Sequence, residues 1–351
     1  MKITYFVRKP VRNVNFSLEK SFETSQLYLP PDMHPTTVVS RFMSRGLWKR
    51  IYNIIEAAFR QGDVNHITGD IHFLALLLRK RKTVLTVLDC VFESRHAGLK
   101  KLMFLWIWYV IPVRRVALVT AISEFTKDRL VHLTHCDPDK VHVVPICITT
   151  AFRRIDKPFN RSCPTILAIG TTENKNLSRL VEALAGISCR LQIIGVLTTE
   201  QRALLEASGI DYRNAYGVSE DVLIQYYGEC DVLAFVSTYE GFGMPIIEAN
   251  TIGRPVVTSK VASMPEVAGD AAHLVDPFDV ASIREGLLKV INDAPYRETL
   301  VQNGFRNCLR FRPEEVARLY AELYRSLAAA PVRSPETLAS ASVGERSVTG
   351  G

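Results

Sequence analysis

Two carboxylates and a pair of glycines stand close together in the segment Ser237-Thr-Tyr-Glu-Gly-Phe-Gly-Met-Pro-Ile-Ile-Glu-Ala249, which follows an apolar run directly. Gly241 and Gly243 precede a predicted helix, so the backbone there can approach a ligand closely. The helix N-terminus adds free N–H groups and a positive dipole end, which suit a phosphate. Glu240 and Glu248 are unfavourable beside an anion unless they bind hydroxyls, as on a ribose or a hexose. The alternative is a glycine-rich turn with surface glutamates.

The stretch Glu240-Gly-Phe-Gly-Met-Pro-Ile-Ile-Glu248 resembles the Glu-x7-Glu signature of retaining GT-B glycosyltransferases, particularly glycosyltransferase family 4. The flanking segments Gly253-Arg-Pro-Val-Val-Thr-Ser259 and Met264-Pro-Glu-Val-Ala-Gly-Asp270 are also similar to that family. The resemblance is strong over 163–325 and consists mostly of element order over 1–150. It implies a GT-B fold and sugar transfer from a nucleotide donor.

The resemblance also implies roles for single residues. In the family, a strand end like Gly170-Thr-Thr-Glu-Asn-Lys-Asn-Leu177 carries basic residues that contact the donor diphosphate, and Lys175 occupies the lysine position. Asn174 replaces the arginine that many members have before this lysine, so more weight falls on Lys175 and on the helix N-terminus. By analogy Glu248 holds the ribose, and Glu240 contacts the donor sugar and supports its positive anomeric centre. We therefore predict Glu240 and Lys175 as catalytic residues. The predicted donor-binding residues are Glu248, Gly241, Phe242, Gly243, Gly170, Thr171, Asn176 and Val218.

Several of these positions have a structural alternative. Asn174 or Asn176 can cap the following helix, which is compatible with phosphate binding. Val218 lies where family members wrap the nucleotide base, although Ser219 can simply cap a helix there.

On the acceptor side, His66 and Asp89 each end a predicted strand in the first half. Many relatives carry a His-Asp pair at the second position, where this chain has Leu88 before Asp89. Either residue can face the cleft and contact the acceptor or the transferred sugar, or can be a loop or capping residue.

No metal or cofactor is expected besides the nucleotide-sugar substrate. Asp137-Pro-Asp139 formally matches an Asp-x-Asp metal motif, but its proline and its position between a helix and a strand predict a turn. Motifs typical of dehydrogenases, P-loop NTPases, serine hydrolases and zinc proteases are missing from the sequence.

Positioning these residues requires an α/β architecture. Fully apolar, β-branched runs alternate with helical patterns, which predicts two Rossmann-like, doubly wound parallel-sheet domains facing across a cleft. We assign 1–150 to an acceptor-binding domain and 163–312 to a nucleotide-sugar donor-binding domain, with a polar linker between them. A helix at about 313–328 is expected to pack back on the first domain. Residues 329–351 have few large apolar side chains and predict a disordered tail.

The charge is divided unequally between the halves. The chain has 43 Lys and Arg against 36 Asp and Glu, but residues 1–160 hold 25 against 13 and residues 161–351 hold 18 against 23. The first half is therefore expected to meet an anionic partner, such as an acidic acceptor or a membrane surface. No nucleic-acid recognition motif supports a nucleic-acid partner. The seven scattered cysteines favour a reduced, cytoplasmic setting.

The segment 100–115 combines a 12-residue apolar run with flanking basic pairs. The run is shorter than the ~20 residues that cross a bilayer, and Trp106, Trp108 and Tyr109 suit a membrane interface. It is either a membrane-surface contact or a buried helix. The basic first half favours the membrane, which predicts a cytoplasmic protein peripheral on the inner face of the cell membrane.

We therefore expect a retaining, metal-independent glycosyltransferase acting in cell-surface polysaccharide synthesis, for example of lipopolysaccharide. It would move a mannose-, rhamnose- or glucose-like hexose from a UDP- or GDP-sugar to a glycan or lipid-linked acceptor. Two alternatives remain: a sugar-nucleotide epimerase or hydrolase of the same fold, and a non-catalytic nucleotide-sugar-binding protein.

Overall fold

The computed structural model describes residues 1–9, 17–44, 46–90 and 98–329. The predicted tail lies outside the described residues except for Ala329, which ends a helix. Within this part of the chain, two parallel six-stranded sheets are joined by a linker, which confirms the predicted fold class.

The first sheet has the strand order β2-β1-β3-β4-β5-β6. Its strands are β1 Lys2–Val7, β2 His34–Val39, β3 Val64–Ile67, β4 Thr83–Val87, β5 Leu118–Ala121 and β6 Val141–Val143. Its helices are α1 Ser17–Gln26, α2 Leu47–Ala58, α3 Gly98–Leu105, α4 Ile111–Arg115 and α5 Glu124–Thr134, with a π-helical turn at Trp106–Val110 between α3 and α4. Short 3₁₀ turns lie at His72–Leu76, Lys80–Lys82 and Pro138–Lys140.

The second sheet has the order β12-β11-β10-β7-β8-β9. Its strands are β7 Thr165–Ile169, β8 Arg190–Ile194, β9 Asp211–Ala215, β10 Val232–Phe235, β11 Val256–Ser259 and β12 Ala272–Val275. Its helices are α6 Leu177–Leu184, α7 Thr199–Ser208, α8 Glu220–Glu229, α9 Met244–Ile252, α10 Met264–Ala268, α11 Val280–Asn292 and α12 Ala294–Asn307. Two 3₁₀ turns lie at Glu173–Lys175 and Cys308–Phe311.

The last helix, α13 Pro313–Ala329, leaves the second domain and packs on the first sheet. Its buried residues Tyr320 and Tyr324 join the core around β1 and α1. The opposite face of the same sheet carries the core of α2 and the segment 98–115. The chain therefore crosses between the domains twice, once through the linker and once before α13.

Two predicted elements differ from the structure. The β-branched run at 37–42 predicts a strand there, but the strand lies at 34–39. It is a largely exposed edge strand with a weak apolar pattern, where Pro35 is tolerated. The apolar pattern at 72–80 predicts a helix, but the structure has only the 3₁₀ turn His72–Leu76. Residues 72–75 are all buried, so their apolar run does not mark a helical stripe.

Candidate active site in the interdomain cleft

Lys175 and Glu240 come together at the carboxyl edge of the second sheet. Lys175 follows β7 and Glu240 follows β10, and these two strands are neighbours. From β7 the chain continues to β8 and β9 on one side, and from β10 it continues to β11 and β12 on the other. The loops that follow β7 and β10 therefore separate and leave a crevice. Open α/β sheets bind ligands at such a switch point.

The ammonium of Lys175 forms an ion pair with Glu240, with Nζ 2.6 Å from Oε1, and both side chains are mostly but not fully covered. Asn174 donates a second hydrogen bond to the same oxygen from Nδ2, at 3.2 Å. Asn174, which replaces the family's arginine, thus holds Glu240 instead of supplying a second cation. Gly170, at φ +89°, leaves room for the lysine, since a Cβ there would lie 2.7 Å from Lys175 Cε.

The loops after β7 and β10 are tied to each other by one backbone hydrogen bond and by the side chain of Asn174. The Thr238 N–H donates to the Asn174 carbonyl at 2.8 Å, and the Asn174 amide donates to the Tyr239 carbonyl at 2.9 Å. Asn176 is buried, and its amide donates to the carbonyls of Val236 and Pro277. Its side chain does not cap α6. Asn176 therefore fixes the loops that carry the site, and its amide nitrogen is already used there.

Gly241 and Gly243 have two different structural roles. Gly243 has φ +117° and begins α9, as the glycine-before-helix pattern predicts. Gly241 lies against the first domain, where an added Cβ would be 2.3 Å from the Leu88 carbonyl oxygen. Its close backbone approach is thus to the opposite domain. The side chain of Phe242 is buried against Phe311, so it anchors the loop and its contribution to a ligand is limited to the backbone.

Glu248 is buried one turn into α9, where Oε2 accepts a hydrogen bond of 2.6 Å from the Tyr227 hydroxyl. Burial raises the pKa of Glu248 to about 7, with the hydrogen bond from Tyr227 acting in the opposite direction. The carboxyl therefore lies below the glycine loop, where it can accept or donate a hydrogen bond near neutral pH.

The remaining donor-side predictions lie in loops at the same sheet edge. Thr171 follows Gly170, and its hydroxyl donates to the Val196 carbonyl at 2.6 Å. Val218 is partly buried on the core below the site. Its neighbour Ser219 caps α8 by accepting the Val222 N–H, which is the structural alternative stated for this loop.

The first domain supplies fewer of the predicted residues to the site than the second domain does. Asp89 is exposed and follows β4, and its Cβ would lie 3.0 Å from a Cβ placed on Gly241, so it borders the cleft. His66 is fully buried, with its ring nitrogens bonded to the hydroxyls of Tyr324 and Thr86 at 2.7 Å each. The prediction that His66 faces the acceptor is wrong: its strand is central, and α13 covers it.

A contact that the sequence did not reveal joins the first domain to the loop that carries Glu240 and Gly241. Ser123 and Thr126, at the start of α5, donate from their hydroxyls to the Gly241 carbonyl at 2.7 and 3.1 Å. Glu266 of the second domain accepts the Glu124 N–H through both carboxylate oxygens, at 2.8 and 2.9 Å. The pattern Ser-Glu signals a helix start, but nothing local indicates which groups of the other domain meet it.

Within the described residues, no group of three or more His, Cys, Asp or Glu side chains is arranged to hold a metal ion. Asp137-Pro-Asp139 is the turn that its sequence predicts, in which Asp137 Oδ1 accepts the Asp139 N–H at 3.0 Å. A groove of about 730 Å³ is lined by Lys157, Asp231 and Arg297 among others. It lies where the strands of the second sheet begin, away from Lys175.

The segment 98–115 is divided between core and surface. Trp108, Tyr109 and Val113 are buried, whereas Trp106 is exposed. One face of this segment is therefore part of the core, as the buried-helix alternative predicts, and the other face is exposed. Among the described helices, none combines the length and apolarity that a bilayer crossing requires.

Family comparisons agree with this architecture. The family model described as Glycosyltransferase Family 4 matches residues 21–152, and the model described as Glycosyl transferases group 1 matches residues 152–307. Together they cover most of the chain, from the first sheet to α12. The chain belongs to the GT-B glycosyltransferases of family 4 and group 1.

Among curated relatives, the chain is 27% identical over 233 residues to O-antigen chain mannosyltransferase B from Escherichia coli, covering 60% of this chain and 61% of that protein. It is 28% identical over 243 residues to MMP alpha-(1->4)-mannosyltransferase from Mycolicibacterium hassiacum, covering 64% and 59%. The match thus spans about three-fifths of the length of these relatives.

Solved structures of low sequence identity share the fold. Sucrose-phosphate synthase from Thermosynechococcus elongatus superposes with a TM-score of 0.76 at 16% identity, covering 94% of this chain and all of that one. Anabaena HepE in complex with UDP-glucose superposes with a TM-score of 0.73 at 16% identity, covering 93% and all of that chain.

Proposed function

We propose that this protein is a retaining, metal-independent glycosyltransferase that moves a hexose from a UDP- or GDP-sugar to a glycan or lipid-linked acceptor. The observation that carries the proposal is the Lys175–Glu240 pair, held 2.6 Å apart at the switch point of the second sheet, directly before a glycine-initiated helix. Mannose is the first sugar to test, because two relatives are named mannosyltransferases.

The chemistry follows from where charge develops. Cleavage of the sugar–phosphate bond leaves negative charge on the departing diphosphate and positive charge on the anomeric carbon. The ammonium of Lys175 and the free N–H groups at the start of α9 stabilise the diphosphate, as a metal ion does in other transferases. The Glu240 carboxylate stabilises the anomeric centre, and Glu248 binds a ribose hydroxyl. Acceptor attack and diphosphate departure then take place on one face of the sugar, which retains its configuration.

Sugar transfer also requires the exclusion of water, which closure of the cleft provides. The Leu88 carbonyl and the hydroxyls of Ser123 and Thr126 lie directly on Gly241, so the two domains meet beside the catalytic loop. A closed cleft protects the donor from hydrolysis and leaves room only for the acceptor. The second half of the chain is acidic overall, so local geometry, not net charge, has to hold the diphosphate.

The proposal is tested by incubating the protein with a panel of UDP- and GDP-sugars, with and without oligosaccharide and lipid-linked acceptor fractions. We expect nucleotide diphosphate release that depends on acceptor, with NMR showing the donor's anomeric configuration in the product. Glu240→Gln keeps a hydrogen-bonding side chain but removes the charge, so the rate should fall about 100-fold. Glu298→Gln, on α12, is the matched control and should leave the rate unchanged.

The two alternatives give different results in the same assay. Release or epimerisation without acceptor indicates an epimerase or hydrolase. A donor that raises the melting temperature without any turnover indicates a non-catalytic binding protein. Either result would overturn the proposal, as would full transfer by the Glu240→Gln variant.

A further inference from the structure

Helix α2 carries an apolar stripe on its exposed side. Trp48, Tyr52, Ile55 and Phe59 recur along one face of the helix and its last turn, with Trp48 80% and Phe59 87% exposed. Helices on the surface of globular domains normally place polar residues on the outward side and apolar residues inward. The opposite side of α2 is already packed through Ala57. This outward stripe is therefore not part of the domain core.

A second apolar stripe runs along the segment 98–115. Leu102 and Trp106, and beside them Met103 and Ile107, are spaced one helical turn apart, and all four are exposed. Three of the next residues, Trp108 to Val110, are buried in the first domain. The buried residues attach the segment to the first domain, whereas the four exposed residues lie outside its core.

The two stripes belong to one surface, which we call the apolar face. Helix α2 packs on the 3₁₀ turn His72–Leu76, and this turn packs on the π turn and on α4. The guanidinium of Arg50, on α2, lies over the ring of the buried Trp108 at 5.0 Å, so α2 also contacts the segment that carries the second stripe. Leu77, after the 3₁₀ turn, is also exposed. Contiguous exposed apolar surface of this kind marks an interaction site.

The part of the sequence that carries the apolar face is strongly basic. Residues 41–115 contain 14 Lys and Arg against five Asp and Glu, a net charge of +9, whereas the whole chain has +7. This stretch therefore accounts for the entire excess of positive charge. Arg114 lies over the ring of Trp106 at 5.3 Å, and Arg115 donates to the Leu76 carbonyl at 3.0 Å. Exposed aromatic and aliphatic side chains with arginines among them suit the boundary between lipid headgroups and acyl chains.

We propose that the apolar face docks on the surface of a bilayer containing anionic lipid. Its apolar side chains would enter the headgroup region while the basic residues contact lipid phosphates. A second copy of the chain is a poorer occupant, because it would bring equal positive charge against positive charge. This inference extends the proposed function. Only the purpose of docking rests on that function: it would bring the acceptor domain to a lipid-linked acceptor.

The test is co-sedimentation with phosphatidylcholine vesicles containing about 30% phosphatidylglycerol, compared with pure phosphatidylcholine vesicles. We expect binding to the anionic vesicles that weakens as salt is raised. Trp48→Ser and Phe59→Ser should each lower the partition coefficient about tenfold or more, since each removes a large side chain that leaves water on binding. Arg114→Glu, which reverses the charge beside Trp106, should weaken the preference for anionic vesicles.

Leu27→Ser is the matched control. Leu27 is 82% exposed on the same domain, but it follows α1, which packs on the other face of the sheet, so binding should be unchanged. Vesicle binding is measured without any sugar donor, so its failure is distinct from a failure of sugar transfer. The proposal is overturned if the wild-type protein stays in solution, or if the Trp48 and Phe59 variants bind as well as the wild type. It is also overturned if the protein is a dimer that these two substitutions dissociate.

Discussion

Glu248 is the residue at which the structure adds most to the sequence. From the sequence alone, the carboxylate of Glu248 could equally well lie on the protein surface. In the fold it is buried, and the Tyr227 hydroxyl contacts it. A buried carboxyl near its pKa at neutral pH is costly for the free protein, and a ligand hydroxyl that binds it would recover part of that cost.

This burial predicts a pH-dependent stability difference for Glu248→Gln. Burial raises the pKa of Glu248 to about 7, so the folded state holds a proton there that the unfolded chain releases at lower pH. The contribution of this carboxyl to stability is full below the ordinary glutamate pKa and is lost as the pH rises toward 7. Glu248→Gln should therefore gain stability relative to the wild type between pH 5 and pH 8, by about 2–3 kcal/mol at the upper end.

Calorimetry of both proteins across this pH range provides the measurement. Glu298→Gln, whose carboxylate is on the surface of α12, should show a constant difference from the wild type. A Glu248→Gln difference that is equally constant would mean that Glu248 is ionised throughout this pH range, which contradicts the prediction.

At the scale of elements, the unexpected feature is that α5 of one domain holds a loop of the other. The two hydroxyls at its start bind the Gly241 carbonyl, and Glu266 of α10 binds its free N–H groups. A carboxylate at a helix N-terminus is stabilising, and here it lies across the domain boundary. Gly241 adjoins Glu240, so we expect this contact between the domains to help position the carboxylate that is proposed to be catalytic.

Glu266→Ala should therefore weaken catalysis without weakening donor binding. Loss of hydrogen bonds to a charged group costs about 1.5–3 kcal/mol, so the kcat for transfer should fall at least tenfold. The donor's effect on melting temperature should persist, because the donor loops of the second domain remain intact. Glu322→Ala, on the exposed side of α13, is the control. A loss of donor binding equal to the loss of kcat would contradict this coupling.

The elements themselves were largely accessible from the sequence, because fully buried parallel strands are continuous apolar runs and amphipathic helices repeat every three to four residues. Except for β2, the strands of the two sheets lie close to the positions that these patterns predict. The edge strand β2 and the 3₁₀ turn His72–Leu76 were predicted wrongly. The strand is too exposed, and the turn is too buried, to show a hydrophobic period. The pairing of Lys175 with Glu240 follows from the adjacency of β7 and β10 in the sheet, which the sequence did not predict.

At the scale of the whole molecule, the features that sequence reasoning missed are those that join distant parts of the chain. His66 looked like a cleft residue because it ends a strand, but α13, some 250 residues later, covers it and bonds to its ring through Tyr324. Burial lowers the pKa of His66 to about 3, so it remains neutral in the folded protein. The contact of α5 with Gly241 is similarly non-local, and no spacing rule encodes it. Of the apolar face, the sequence indicated the segment 100–115 but not the exposed stripe of α2 that lies with it.

The central claim is that Lys175 stabilises a departing nucleotide diphosphate at the interdomain cleft. The most direct measurement is the rate of acceptor-dependent sugar transfer by Lys175→Met, compared with Lys289→Met, which removes an exposed lysine on α11. Loss of one preorganised group that stabilises developing charge should lower kcat about 100- to 1,000-fold, whereas the Lys289 variant should match the wild type. Transfer by Lys175→Met at the wild-type rate would contradict the account.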